Sequence, residues 1–142
     1  MRGMLYDDFS GEDGELTAIT QYIYEHIEYD YQPKMSNILL KIAIEEMRHI
    51  KILGEIIKKL GGNPIYVNSQ KKQWTSENVK YSFENLNEML RYNIKSEEKA
   101  IEGYKRAIRY TKNIYLKNIF ERIILDEQKH IEVFMKLIKT KF

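Results

Sequence analysis

The chain has no cysteine. That single absence excludes disulfides, thiolate metal sites, iron–sulfur clusters and thiol catalysis. Proline occurs twice and glycine seven times in 142 residues. Strand-like alternation is hard to find, and long stretches follow helical periodicity, so the chain reads as all-α. No stretch stays apolar for about 18 residues, so nothing is expected to span a membrane. The opening "MRGMLYDDFSGED" lacks the apolar run of a signal peptide, which makes a cytoplasmic location the default. A formal net charge of +2 is too small, and too evenly spread, to suggest a nucleic-acid partner. Cations thicken toward the C-terminus, but there they alternate with Ile, Leu and Phe as on a solvated helix face. The length suits one domain, residues 1–142, with a single sizeable core.

What is present is four helical stretches. The first should cover Glu12 to Tyr31, with an earlier start near Tyr6 if Gly11 and Gly14 are tolerated inside it. Pro33 breaks it, and the second follows from Lys34 to Leu60. "GGNP" at Gly61 to Pro64 is a strong stop, with glycine just past the end and proline beyond. Ile65 to Lys80 lacks a clear period and forms a connection. The third helix runs from Phe83 to Tyr110 and the fourth from Asn113 to Lys139. Tight turns make helices one and two an antiparallel hairpin, and three and four another. The second helix should be roughly 40 Å long, and a connection of about 20 extended residues reaches roughly 65 Å. It can therefore run the length of the bundle. One long crossover between helices two and three is the ferritin-like variant of the four-helix bundle.

The chain repeats itself. Shifted by 81 residues, "IEEMRHIKIL" (Ile44 to Leu53) falls on "LDEQKHIEVF" (Leu125 to Phe134), aligning Glu45 with Asp126, Glu46 with Glu127 and His49 with His130. Shifted by 82, "ELTAITQY" falls on "EEKAIEGY", aligning Glu15 with Glu97 and Tyr22 with Tyr104. The two hairpins look like diverged copies, expected to pack about a pseudo-two-fold axis.

The core stripe of the second helix is Met35, Leu39, Ile42, Glu46, His49, Leu53, Ile56 and Leu60; that of the fourth is Leu116, Phe120, Ile123, Glu127, His130, Phe134 and Leu137. Both are apolar seams with polar residues only in the middle. Glu15 and Glu97 share faces with Ala18, Ile19 and Tyr22, and with Ile94, Ile101 and Tyr104. Counted from the turns, all four glutamates fall at a similar level. Moving a carboxylate out of water costs several kcal/mol even after relaxation, and the escapes are protonation or cations. No Lys or Arg sits on these stripes. Two divalent ions would cancel four carboxylates, and neutral His49 and His130 would each add a nitrogen. Glu-x-x-His puts both side chains on one helix face. One Glu from each of two helices and a Glu-x-x-His from each of the others is the di-iron carboxylate arrangement. Oxygen and imidazole donors without thiolate suit Fe or Mn. The alternative is a polar layer of salt bridges that only fixes bundle register.

"ELTAITQY", "EEMRH", "EMLRYNIKSE" and "DEQKH" together resemble the bacterioferritin and rubrerythrin branch of the ferritin-like superfamily, over nearly the whole chain. The resemblance implies Glu15 and Glu97 as terminal ligands, Glu46 and Glu127 as bridges, one His per iron, and oxidation of Fe(II) by O₂ or H₂O₂. By similarity Tyr22 stands beside the metals, and its repeat partner Tyr104 is a second such residue; the alternative for each is an amphipathic core tyrosine. Asp126, and less directly Glu45, are candidates to accept the free ring N–H of the histidine on the opposite helix; a solvated or i,i+4 paired carboxylate is the alternative. Met47 matches the methionine that ligates haem b between two bacterioferritin subunits, and Leu16, Ile19 and Ile23 make a stripe that could line such a homodimer. Packing at an interface is the favoured role for Met47. His26 has no Glu three residues before it and reads as structural.

Departures from the family qualify this. Twelve residues after His130 leave no room for the fifth helix that helps close a bacterioferritin cage, so a mineral-storing shell is not expected. Rubrerythrins carry a further glutamate where this chain has Ala100, and usually a cysteine-ligated iron domain. A peroxidase activity would therefore need an external electron donor. The expected function is a ferroxidase-type di-iron oxidoreductase that detoxifies iron or peroxide. The alternatives are a rubrerythrin-like peroxidase, a dimanganese catalase-like enzyme, and a metal-stabilised bundle without turnover.

Overall fold

The computed structural model describes residues 1–140. Its helices are α1 (Arg2–Ser10), α2 (Glu15–Glu28), α3 (Pro33–Lys59), α4 (Leu86–Tyr110) and α5 (Ile114–Ile138), with one 3₁₀ turn at Ser76–Asn78. Among the described residues the only β-pairing is an isolated bridge between Val67 and Gln73. No described helix is long and apolar enough to cross a membrane. The four expected helices are present, their ends within a few residues of the expected ones. The chain divides into two compact units, Arg2–Tyr81 and the part from Ser82 onward.

In the first unit α2 and α3 pack as a hairpin, and α1 packs on both. Pro33 opens α3 at its first turn, where a missing N–H costs nothing. The expected seam of α3 is buried from Met35 to Ile56; Leu60 caps the helix and is exposed. Gly61 follows at φ 87°, a left-handed position that stops the helix where "GGNP" indicated.

The N-terminal stretch departs from expectation. It is a separate helix, not an extension of α2, and the chain turns between Ser10 and Glu15. The reason is close approach: a Cβ on Gly14 would lie 2.7 Å from the carbonyl oxygen of Asp7. Leu5 and Phe9 bury the inner face of α1, and its polar groups bond to the segment after α3. Arg2 donates to the Leu60 carbonyl (3.2 Å), Tyr6 to that of Asn63, and Ser10 Oγ to that of Val67 (2.6 Å). Asp7 accepts from the Ser69 N–H at 2.8 Å.

The connection without a period is thus an anchored segment. Trp74 Nε1 donates to Thr17 Oγ1 at 2.9 Å. The Gln21 amide brackets Lys80, accepting from its N–H (2.8 Å) and donating to its carbonyl (2.7 Å), as a strand neighbour would.

The second unit is the α4–α5 hairpin. Asn85 caps α4, accepting from the Glu88 N–H at 2.8 Å. Asn113 caps α5, accepting from Tyr115 N–H at 2.9 Å and Leu116 N–H at 3.3 Å. The α5 seam is buried at Phe120, Ile123, Glu127, His130, Phe134 and Leu137, with Leu116 partly covered.

Candidate metal centre

Each unit gathers a triad. In the first, Glu15 comes from the first turn of α2, and Glu46 and His49 from the middle of α3. His49 Nδ1 lies 2.9 Å from Glu46 Oε1 and 3.4 Å from Glu15 Oε1. In the second, Glu97 comes from α4, and Glu127 and His130 from α5. His130 Nδ1 lies 3.4 Å from Glu97 Oε1 and 3.5 Å from Glu127 Oε1. All six residues are 2% exposed or less. Within each triad the donor atoms fall within 4.8 Å of one another.

This geometry follows from the helix. Three residues' separation stacks the glutamate of Glu-x-x-His on its histidine, and the apolar seam on either side fixes the face inward. Glu15 adds a carboxylate at a helix N-terminus, where the backbone dipole favours negative charge. Both imidazoles present the same nitrogen, Nδ1, to the carboxylates.

The donors fit a metal ion. With ligand bonds of about 2.1 Å, two donors about 90–110° apart at the ion are separated by about 3.0–3.4 Å. The observed separations of 2.9, 3.4, 3.4 and 3.5 Å lie within about 0.1 Å of that range. Each triad offers two carboxylates and one imidazole and no sulfur, a set for Fe or Mn. A cation also removes the cost of burying the carboxylates.

The remaining candidates fall outside the triads. Tyr22 and Tyr104 are buried, each seven residues beyond its triad's first glutamate, and Tyr104 stacks on Phe120 with ring centroids 6.2 Å apart. Asp126 is partly exposed, with Oδ1 3.3 Å from Arg122 Nη2 in an i,i+4 pair. Glu45 is partly exposed and Met47 is 52% exposed. His26 holds the α2–α3 turn: its Nδ1 lies 2.7 Å from the Ser36 carbonyl, and Ser36 Oγ donates to the His26 carbonyl at 2.8 Å.

Sequence reasoning passed over several buried polar residues, among them Gln21, Glu25 and Asn93. Asn93 sits one turn before Glu97 on its face, a spacing that could have found it. Gln21 Nε2 donates to Glu25 Oε2 at 2.9 Å. Burial, followed by the negative charge of Glu25, raises the Tyr29 phenol above its usual value. The repeat puts Gly103 and Ala107 where α2 has Gln21 and Glu25, so this pair belongs to one half only.

Comparison with known proteins agrees with this picture. The chain is 34% identical over 126 residues to a bacterioferritin from Desulfovibrio desulfuricans, across 84% of its own length and 65% of that protein's. It thus spans just under two thirds of that relative. The crystal structure of Desulfovibrio desulfuricans bacterioferritin, described as showing its diiron site in different catalytic states, superposes with a TM-score of 0.81 at 27% identity. That match covers 97% of this chain and 77% of the other. A manganese catalase from Anabaena has the same fold, with a TM-score of 0.89 at 24% identity over 97% of this chain and 70% of that one. The fold class is the ferritin-like four-helix bundle. The rubrerythrin family model matches residues 9–138. The chain therefore belongs to the rubrerythrin family, in the ferritin-like branch that also contains the bacterioferritins.

Proposed function

We propose that the two triads are the halves of one dinuclear iron centre, and that the protein oxidises Fe(II) with O₂ or H₂O₂. The observation that carries this reading is the duplicated triad of buried donors at coordination-edge spacing, in a chain related to a bacterioferritin whose structure is described by its diiron site. Glu15, Glu46 and His49 of one triad and Glu97, Glu127 and His130 of the other would hold the ions, with Glu15 and Glu97 as terminal ligands and Glu46 and Glu127 as bridges by resemblance to the family. Iron held there would supply the redox chemistry. The chain's own residues hold the geometry and keep water out, since all six donors are buried. Tyr22 and Tyr104 support the centre from within the core, and Asp126 and Glu45 orient the imidazoles through their second nitrogens.

Met47 is exposed on α3, and Leu16, Ile19 and Ile23 are partly exposed on α2; we assign these residues to a homodimer interface, and a Soret band in purified protein would add haem at Met47. Iron detoxification is the first physiological reading. A peroxidase reading follows from the family match, with Ala100 in place of the extra glutamate and electrons from a separate donor. Manganese in place of iron suits the same donors, and metal analysis of purified protein separates the two. The deciding experiment adds Fe(II) anaerobically and then admits oxygen. Oxidation well above the protein-free rate is expected. A rate equal to that control would leave only a metal-stabilised bundle.

A further inference from the structure

The small net charge conceals a local excess. Residues 103–120 carry Lys105, Arg106, Arg109, Lys112 and Lys117 and no acidic residue. The rest of the chain holds eighteen cations against twenty-one anions, a net of −3. In sequence these cations resemble a solvated helix face. In the structure they surround the turn joining α4 to α5. Lys105, Arg106, Arg109 and Lys112 are exposed and Lys117 partly so; Lys105 also lies 3.7 Å from the exposed Glu102.

Three large side chains project from the same turn. Tyr110 is 61% exposed, Ile114 60% and Tyr115 77%, the last being the most exposed large apolar residue among those described. Single exposed apolar residues need no explanation. Three within six residues, at the end of a hairpin whose flanking residues carry five cations, set this turn apart. The turn is held firmly. Thr111 N–H donates to the Ala107 carbonyl (3.0 Å), Thr111 Oγ1 accepts from Asn113 N–H (3.1 Å), and Asn113 caps α5.

We propose that this tip docks the protein on an anionic phospholipid surface. The occupant follows from the chemistry. Tyrosine favours the boundary between water and hydrocarbon, Ile114 gains from entering it, and basic residues are drawn to the negative headgroups. Single-stranded nucleic acid would use tyrosine for stacking but needs a groove that tracks the backbone, and it gains nothing from Ile114. Attachment is peripheral, since no described helix can cross a bilayer.

The test is sedimentation of the whole chain with vesicles of phosphatidylcholine alone or mixed equally with phosphatidylserine. Binding is expected to the mixed vesicles only, and to fade at high salt. Lys112→Glu changes the tip by two charges and should weaken binding about 25-fold, at about fivefold per charge. Tyr115→Ser keeps the charge and should weaken it about tenfold. Both positions are exposed, and unchanged circular dichroism confirms the fold. No vesicle binding, equal binding to neutral vesicles, wild-type binding by both variants, or tighter binding of a single-stranded oligonucleotide at equal salt would each overturn the proposal.

Discussion

At the scale of single residues, the six buried donors cost stability unless a cation compensates them. Glu127 is fully buried and lies close to His130 within a seam of Phe120, Ile123 and Phe134. Its charge is costly without a cation. Glu127→Gln should therefore raise the melting temperature of metal-free protein, by about 3–5 °C for about 1 kcal/mol. Glu46→Ala should drop the bound metal from two ions per chain to one or none. Calorimetric melting and elemental analysis check these expectations; a Glu46→Ala protein that keeps two ions would remove Glu46 from the ligand set. These residues were legible in sequence because each is a polar interruption of a periodic apolar stripe, and because the repeat marks them twice. Gln21 and Glu25 were not, because a buried polar pair on a mixed face leaves no break in any period.

At the scale of elements, the long helices were legible for the same reason and α1 was not. In sequence Gly11 and Gly14 leave the start of the first helix open between Tyr6 and Glu12, whereas in the structure Gly14 is required by a backbone carbonyl. The crossover was illegible for a different reason: its anchors are side-chain bonds between residues 57–62 apart, which carry no periodic signal. Gln21 shows what such an anchor is worth. Gln21→Ala leaves the Lys80 N–H and carbonyl to find other partners and should destabilise the protein by about 1–3 kcal/mol. Urea unfolding measures this. The variant should retain its metal, since Gln21 lies outside both triads. No loss of stability would mean that the crossover is held elsewhere.

At the scale of the whole molecule, metal binding and folding are coupled, because the converged donors exist only in the native chain. Stripping metal with a chelator should lower the melting temperature, and adding it back should restore it. Metal in hundredfold excess over its dissociation constant contributes about 2.7 kcal/mol. A melting temperature indifferent to metal would argue against tight binding by either triad. The same titration bears on the uneven repeat. Glu25 stands about 15 Å along α2 from Glu15, and α4 has Ala107 at the matching position. At an effective dielectric constant of about 20, one charge at that distance attracts a divalent ion by about 2 kcal/mol, and only the difference between two ions' distances from it would rank them. The two triads share their ligands' identity but not their electrostatic surroundings. On the dinuclear reading the halves are alike in ligands and unlike in this one charge, so a metal titration followed by calorimetry should resolve two unequal loading steps; a single step would show that Glu25 does not distinguish them.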